Sequence, residues 1–211
     1  MHQPIEEGWL IDTLQTRLGP LARAGAYREA RITLPMAARD DCAIIELHTP
    51  TTLLVGSDYV RGRQFDLFRS GHLDWFDLGY YLMGANVSDI AAMGAAPIGA
   101  TLIFRYPPDL TRDAAARIVD GIATACEQHG PCPVLGGDSG GATDLVLSAT
   151  VLATPHGRPL LRSSVVPGDC LWVVGHPGRA RAAQRAAAYE RLPAGLSNDD
   201  LSVLLAQWRR R

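Results

Sequence analysis

A helix and the strand that follows it meet in the run Asn86-Val87-Ser88-Asp89-Ile90-Ala91-Ala92-Met93-Gly94-Ala95-Ala96-Pro97. Apolar residues at helical spacing predict a long helix over Trp75–Met93, and Gly94 suits its C-terminal cap. Pro97–Tyr106 then predicts a strand. Asp89 falls in the last turn of this helix, where a carboxylate opposes the helix dipole by about 0.3–1 kcal/mol. Because its neighbours are apolar and a buried unpaired carboxylate is costly, we expect Asp89 to have a cation as its partner.

Shorter elements surround this helix–strand pair. Upstream, the spacing of apolar residues predicts a helix over 5–19, an irregular segment over 20–38 and two strands, Cys42–Leu47 and Leu53–Val60. Downstream, the patterns predict a second helix from Thr111 to Gly130, a short strand at Val134-Leu135, a Gly-rich loop at Gly136–Gly141, strands over Leu145–Ala153 and Cys170–Val174, and a helical region over Gly178–Arg211. We expect an α+β domain over residues 1–158 and a remainder, 159–211, that is too small to fold alone.

The composition excludes several functional classes. The chain has 211 residues, and all 20 of its basic residues are arginine. Without lysine there is no phosphate-loop NTPase motif, no protein-kinase strand lysine and no Schiff base. Phosphate chemistry must therefore rest on metal ions, arginine and backbone N–H groups. The four cysteines and six histidines show no metal-ligand spacing.

Charge and hydropathy predict a soluble protein of the cytoplasm. A net charge of −2 implies no strong attraction to nucleic acid or to anionic membranes. No stretch approaches the ~20 apolar residues of a membrane span, and the N-terminus lacks a basic region followed by an apolar one. We therefore expect neither a nucleic-acid partner nor a membrane partner.

Four aspartates lie at the ends of predicted elements: Asp41, Asp58, Asp89 and Asp138. Convergent carboxylates are the ligands that Mg²⁺ prefers, and Mg²⁺ also takes oxygens from a substrate polyphosphate. Carboxylates on separate elements would suit two or more ions along a triphosphate. Asp41 and Asp138, taken singly, fit a capping or turn role equally well.

The Gly136–Gly141 run offers a second phosphate-binding feature. Glycines let the backbone approach a ligand and direct N–H groups at anions. A tight turn is the other interpretation of such a run, but Asp138 within it favours ligand binding, since Mg²⁺ could bridge the loop to a phosphate. Arg162 is a candidate for a bidentate phosphate contact, and a solvated arginine fits its position equally well.

Four motifs, in order along the chain, resemble those of the thiamine-monophosphate kinase family. The run Asn86–Pro97 resembles N-L-S-D-L-A-A-M-G-A-x-P, and Asp40–Ala43 resembles G-D-D-C-A. Gly136–Asp138 resembles G-G-D-T. Leu161–Ser163, followed by Pro167–Asp169, resembles R-S-G-A-x-P-G-D. This family belongs to a wider superfamily with aminoimidazole ribonucleotide synthetase.

The resemblance implies an α+β N-terminal domain, a mixed sheet flanked by helices, that binds ATP and Mg²⁺. It also implies a homodimer formed by joining the sheets of two copies as a barrel. The implied metal-binding residues are Asp41, Ser57, Asp58, Asp89 and Asp138. The implied ATP-binding residues are Gly136, Gly137, Asp138 and Arg162. The implied reaction transfers the γ-phosphoryl of ATP to a small-molecule phosphate monoester, giving a diphosphate, and needs no protein nucleophile.

The chain departs from the family pattern near the implied substrate site. Gln64 replaces a His that is implied to touch substrate, and Arg61 and Arg63 precede it. Residues 159–211 correspond to a linker and the beginning of the family's second domain, which carries further metal and catalytic aspartates. Two alternatives therefore stay open. One is a sister ATP-dependent enzyme that phosphorylates another small metabolite, and the other is a non-catalytic nucleotide-binding dimer module.

Overall fold

The computed structural model describes residues 5–21, 25–27, 30–34, 44–47, 53–60, 62–161, 165–188, 195 and 197–209. The chain divides into two compact units. One comprises Met1–Gly62 and Trp75–Leu160, and the other comprises Arg63–Asp74 and Leu161–Arg211.

The described helices and strands follow one another in the mixed order of an α+β protein. They are α1 (Glu7–Leu18), β1 (Gly25–Tyr27), β2 (Ala30–Leu34), β3 (Ile44–Leu47), β4 (Leu54–Val60), α2 (Asp66–Arg69), α3 (Trp75–Ala92), β5 (Ala95–Tyr106), α4 (Arg112–Gln128), β6 (Val134–Gly141), β7 (Val146–Pro155), α5 (Arg179–Ala188) and α6 (Asn198–Arg209). None of the helices in the described residues is both long and apolar enough to cross a membrane.

The first unit contains a sheet with the strand order β4–β7–β5–β6. β7 runs antiparallel to both β4 and β5, whereas β5 and β6 are parallel. The sheet is therefore mixed, as expected. A second sheet has the order β1–β2–β3, with antiparallel pairing throughout.

The expectation of an irregular segment over 20–38 is wrong where β1 and β2 lie. These short strands are held by pairing, Gly25 with Ile32 and Ala30 with Leu47, and the second of these pairs joins positions distant in sequence. Strand formation depends on such cross-strand neighbours more than on local propensity, so the residues alone gave no signal. The first two residues of the strand expected at 42–47 lie outside the described residues.

Two helices cover one face of the mixed sheet and cross each other closely. The start expected for α4 is confirmed, and Thr111 is its N-cap, because Thr111 Oγ1 accepts a hydrogen bond from the N–H of Ala114 at 3.2 Å. A Cβ added at Gly79 on α3 would collide with the carbonyl oxygen of Ile118 on α4. A Cβ added at Gly121 on α4 would collide in the same way with Phe76 on α3. Two glycines thus allow the backbones of α3 and α4 to touch.

The two faces of the sheet differ in burial. Strand alternation places one set of side chains under the helices. In β7 and the residue before it, these are Leu145, Leu147, Ala149, Val151 and Ala153, each at most 4% exposed. The opposite face carries exposed apolar side chains: Val55 at 61%, Tyr59 at 56%, Ile103 at 40% and Val146 at 39%. We call this opposite face the open face of the sheet.

The Gly-rich segment is a strand, so the expectation of a loop at Gly136–Gly141 is wrong. Residues 136–141 are part of β6 and pair with β5. Thr101 lies opposite Gly136 at one end of this pairing, and Tyr106 lies opposite Gly141 at the other. Gly137 lies so close to β5 that an added Cβ would collide with the carbonyl oxygen of Leu102. Gly137 therefore serves a close approach between strands, and its partner Leu102 on β5 lies more than thirty residues earlier in the sequence.

The second unit has a small core of its own. Leu67, Leu73 and Ala183 are buried in it, and Phe65, Phe68 and Leu201 pack against them. Gln184 on α5 donates a hydrogen bond to Asp66 on α2 at 3.1 Å. The expectation of a buried strand over Cys170–Val174 is wrong, since this segment has no regular secondary structure and Leu171, Trp172 and Val174 are 85%, 89% and 95% exposed. Among the described residues no strand pairs with it, and an apolar run needs such a neighbour to become a strand.

Candidate functional site

Asp58 lies near the end of edge strand β4, where a buried side chain of α3 holds the backbone. The N–H of Asp58 donates to Oδ1 of Asn86 at 2.9 Å. Asn86 is 2% exposed, and its Nδ2 donates to the carbonyl oxygen of Leu82 at 2.8 Å. Asn86 is the first residue of the motif Asn86–Pro97, and the motif alone does not predict this bridging role. A polar residue on the buried stripe of an apolar helix was the signal that could have identified it.

Asp58 and Asp89 both lie near Tyr81 on α3. Burial raises the pKa of Tyr81 above its ordinary value of 10, and the negative charges of Asp58 and Asp89 raise it further. Both carboxylates are therefore close enough to act on the same phenol. Asn86 and Asp89 are three residues apart and so are neighbours on the surface of α3, which brings Asp89 toward the end of β4.

The environment of Asp89 differs from the expected one. Its side chain is exposed in the structure, so the expectation of a buried carboxylate is wrong. Residue 89 lies on the solvent-exposed side of α3, near the C-terminal end of the helix. A carboxylate in water keeps its hydration, so it does not need the cation that a buried carboxylate would need. Asp58 is half-buried, and its Oδ1 accepts a hydrogen bond from the N–H of Tyr59 at 2.7 Å.

Ser57 points to the other face of β4. Its Oγ donates to the carbonyl oxygen of Ala149 at 3.0 Å and accepts a hydrogen bond from Oγ1 of Thr150 at 3.1 Å. Consecutive side chains of a strand point to opposite faces, so Ser57 is on the open face and Asp58 is on the helix-covered one. A metal-binding role for Ser57 stays a prediction.

Asp138 lies on β6, away from Asp58. The registers align Asp58 with Ala149, then Leu102, then Gly137 across the four strands. Asp138 follows Gly137 and therefore points to the open face, three strand spacings or ~14 Å from β4. Within the described ranges, no group of three or more His, Cys, Asp and Glu side chains is arranged to hold a metal ion.

Arg105 on β5 contacts Asp138. Its Nη2 donates to Oδ2 of the carboxylate, and the side chains are 38% and 60% exposed. The contact of Arg105 with Asp138 was not predicted from the sequence. A charged residue within an otherwise apolar strand was the sequence feature that could have identified Arg105.

The other expected site residues are placed as follows. Asp41 and Arg162 lie outside the described residues. Gln64 is exposed in a short 3₁₀ turn, Gly62–Gln64, and belongs to the second unit. Gly136 and Gly137 lie in β6 as described above. Binding roles for these residues stay predictions.

The described cysteines near α4 are unsuited to nucleophilic chemistry. Burial raises the pKa of the Cys126 thiol to about 12, with a smaller contribution from the charge of Glu127. Burial also raises the pKa of Cys132. A thiol reacts as its thiolate, so neither side chain is a nucleophile near neutral pH.

The first unit is an α+β domain, with a mixed sheet covered by helices on one face and carboxylates at the junction of β4 and α3. Comparison with known proteins identifies the family of this domain. Residues 39–154 match the family model described as AIR synthase related protein, N-terminal domain. This match covers more than half of the chain, which therefore belongs to the AIR synthase related protein family.

Individual relatives sharpen the comparison. The chain is 32% identical over 159 residues to thiamine-monophosphate kinase of Escherichia coli strain K12, which is 74% of this chain and 46% of that protein. It is 34% identical over 142 residues to thiamine-monophosphate kinase of Methanospirillum hungatei JF-1, covering 67% and 47% of the two chains. The chain thus spans about half the length of the curated relatives it matches. The resemblance to thiamine-monophosphate kinases is confirmed.

Solved structures show the same fold. The crystal structure of thiamine-monophosphate kinase from Stenotrophomonas maltophilia K279a matches 99% of this chain and 62% of that chain, with a TM-score of 0.70 and 28% identity. A structure of AaThiL complexed with AMPPCP and TMP matches 96% and 58% of the two chains, with a TM-score of 0.62 and 22% identity. The second likeness shows the fold alone.

Proposed function

We propose that this chain is the ATP- and Mg²⁺-binding part of a kinase of the thiamine-monophosphate kinase type. The reaction transfers the γ-phosphoryl of ATP to a small-molecule phosphate monoester and gives a diphosphate. The observation that carries this proposal is the junction of β4 and α3, where Asn86 holds the backbone at Asp58 and where the charges of both Asp58 and Asp89 act on Tyr81. The names of the curated relatives support the reaction type.

The residues at this junction fit a divalent cation. Two carboxylates raise the pKa of Tyr81 from two different elements, which marks a locally negative potential. Carboxylate oxygens are the ligands that Mg²⁺ prefers. Asp58 and Asp89, together with Asp41, would hold Mg²⁺, which when bound would neutralise charge on the phosphates of ATP. The protein's own contribution is to fix the spacing of these acids, because phosphoryl transfer of this kind needs alignment and charge stabilisation more than a nucleophile.

Asp138 fits a metal less well than Asp58 and Asp89 do. It points to the open face of the sheet, and Arg105 already occupies one of its oxygens. The remaining ATP contacts in this proposal come from Gly136, Gly137 and Arg162, and Gln64 is the proposed substrate contact. These four assignments rest on the family pattern.

A homodimer is part of the proposal. The open face carries Val55, Tyr59, Ile103 and Val146, which are large apolar side chains at 39–61% exposure. Exposed apolar side chains on one face of a sheet are a feature of interaction surfaces. A second copy covering this face would bury these side chains. We also propose a cytoplasmic location, where ATP and small phosphate metabolites are available.

A sister enzyme acting on another phosphate acceptor is the second candidate. Gln64 stands where the family has a His implied to touch substrate, and Arg63 precedes it in the same 3₁₀ turn. A neutral amide beside a permanent cation presents a different set of hydrogen-bond donors from an imidazole. Gln64 would therefore affect which phosphate monoester is the acceptor.

The experiment is a phosphoryl-transfer assay with ATP, Mg²⁺ and thiamine monophosphate, in which the diphosphate product is separated by chromatography. Asp58→Asn and Asp89→Asn should each abolish Mg²⁺-dependent binding of the ATP analogue AMPPCP, measured by calorimetry. Asp144→Asn, at an exposed aspartate of the same unit, is the matched control and should bind normally. Unchanged affinity in both site variants would reject the metal assignment. Turnover of another phosphate monoester alone would favour the sister enzyme, and AMPPCP binding without any turnover would favour a non-catalytic module.

A further inference from the structure

The chain leaves the first unit directly beside the C-terminal end of helix α3. After β7 the chain bends, and the N–H of Leu160 donates to the carbonyl oxygen of Met93 at 3.1 Å. The N–H of His156 donates to the carbonyl oxygen of Gly94 at 3.0 Å. Leu160 is the last residue of the first unit. Two backbone hydrogen bonds therefore tie this exit point to the residues that follow α3.

Gly94 allows Leu160 to lie against the end of the helix. Its φ is +69°, in the left-handed region that favours glycine. A Cβ added at Gly94 would lie 3.4 Å from both Cγ and Cδ1 of Leu160, which is a tight contact. A helix C-cap explains the φ value, but it does not require the contact with Leu160. We call this contact, together with the hydrogen bonds that Met93 and Gly94 accept, the exit contact.

The exit contact does not depend on burial. Leu160 is 62% exposed, so its place is fixed mainly by its backbone hydrogen bond and by the space over Gly94. The carbonyl groups at the end of a helix have no partner within the helix, and here a distant part of the chain supplies the donors. A change at Leu160 should therefore loosen the exit contact without removing a side chain from the core.

Two residues of the proposed nucleotide site are close in sequence to the exit contact. The N–H of Met93 donates to the carbonyl oxygen of Asp89 at 3.3 Å, so the two residues are one helical turn apart. Arg162, the proposed ATP contact, is two residues after Leu160. Two residues of chain span at most about 7 Å. The exit contact thus limits how far the backbone of Arg162 can lie from the end of the helix that carries Asp89.

We propose that Gly94 is a positioning residue for nucleotide binding. Through the exit contact it holds Leu160, and with it the start of the segment that carries Arg162, at the end of α3. Gly94 itself contacts neither nucleotide nor metal. A backbone held in advance loses less freedom when its side chain binds a ligand, so Arg162 contributes more to affinity. This inference rests on the proposed ATP-binding function and deepens it.

The test is a double-mutant cycle in AMPPCP affinity, measured by calorimetry on the full chain at saturating Mg²⁺. Arg162→Ala should weaken binding by about 10-fold or more, as expected for loss of a charged hydrogen bond. Gly94→Ala should weaken binding in the same direction. The double variant should bind no more weakly than Arg162→Ala alone, because Gly94 acts through Arg162. A merely structural role for Gly94 would instead leave the full effect of Arg162→Ala in the Gly94→Ala protein.

Two further variants make the test independent of the stability of Gly94→Ala. Leu160→Ala removes the side chain that lies over Gly94 and should weaken binding by about 2- to 5-fold, again without adding to the effect of Arg162→Ala. Gly157→Ala is the matched control, because it adds a Cβ in the same segment with nothing within 4 Å. It should bind AMPPCP as the wild type does. Thermal melts followed by circular dichroism should show Leu160→Ala and Gly157→Ala folded.

Each contrary outcome has a distinct meaning. Full additivity of Arg162→Ala with both Gly94→Ala and Leu160→Ala would overturn the inference, and so would wild-type affinity in both of the latter variants. A Mg²⁺ requirement raised in Gly94→Ala as in Asp58→Asn would also overturn it, because Gly94 would then act through the metal ligands. In these cases the wild type still binds AMPPCP and the proposed function stands. Absence of AMPPCP binding by the wild-type chain would reject the proposed function and this inference together.

Discussion

The side-chain oxygen of Asn86 accepts a hydrogen bond from the backbone N–H of Asp58, with 2.9 Å between nitrogen and oxygen. Because Asn86 is buried on α3 and Asp58 lies on edge strand β4, one amide connects the two elements. Asp89 is one helical turn further along α3. Asn86 therefore links the strand that carries Asp58 to the helix that carries Asp89, the two residues that we propose as metal ligands.

Asn86→Ala should destabilise the protein and loosen this junction. The change leaves the N–H of Asp58 without its partner, and an unsatisfied buried donor costs ~1–3 kcal/mol. Urea unfolding followed by fluorescence should show a loss of this size in the free energy of unfolding. Ser88→Ala, at an exposed position on the same helix, should stay within about 0.5 kcal/mol of the wild type. A loss in Asn86→Ala no larger than that of the control would contradict the role given to Asn86.

The ionisation of Tyr81 should report on the acids around it. Burial raises its pKa first, and the charges of Asp58 and Asp89 add to the rise. Asp58→Asn or Asp89→Asn should therefore lower the pKa of Tyr81, and so should Mg²⁺ if it binds at these acids. The measurement is a pH titration of the tyrosine ring carbons by NMR. Tyr80, whose pKa is raised by burial alone, is the internal control and should not move.

The raised pKa of Tyr81 also makes the free energy of unfolding depend on pH. The folded protein holds the Tyr81 proton to a higher pH than the unfolded chain does, because its pKa is raised in the fold. This contribution is complete below pH 10, the ordinary pKa, and is lost as the pH rises through the folded value. Tyr81→Phe should therefore reduce the loss of stability above pH 10, measured by urea unfolding at a series of pH values. An identical alkaline decline in both proteins would place its origin elsewhere.

The elements that the sequence predicted well are those with local signals. Helix α3 shows apolar residues at helical spacing and ends next to Gly94, and α4 begins at the capping hydroxyl of Thr111. The alternation of apolar residues over 145–153 predicted the strand that the structure shows as β7. Each of these signals lies within one segment of the chain, so it can be detected without knowledge of the fold.

The features that the sequence did not predict depend on distant partners. The Gly-rich segment forms β6 only because β5 lies beside it, and local composition suggested a loop. The apolar residues of Cys170–Val174 suggested a buried strand, but among the described residues no neighbouring strand pairs with them. The contact of Arg105 with Asp138 joins residues 33 positions apart, and only the register of two strands brings them together.

The contact between α3 and α4 should be intolerant of even one methyl group. Gly79→Ala and Gly121→Ala would each place a Cβ against the backbone of the facing helix, which cannot yield as a side chain can. Overpacking of this kind costs ~1–3 kcal/mol or more. Chemical denaturation should show this loss in both variants. Gly8→Ala, in α1 with nothing within 4 Å of the added Cβ, is the matched control and should be neutral or stabilising. Equal stability of all three variants would contradict the close helix crossing.

The open face of the sheet should be the surface by which two copies associate. One of its apolar side chains is Val55, which is 61% exposed. Removing such a side chain from water is favourable, whereas a polar side chain in the same place would gain little. In sedimentation at micromolar concentration, the wild type should show about twice the mass of one chain, as an interface of ordinary size covering this face would produce. Val55→Lys should sediment as a monomer, because association would bury its charge. Val203→Lys, at a comparably exposed position on α6, should remain dimeric. A monomeric wild type, or equal dissociation by both variants, would exclude association through the open face.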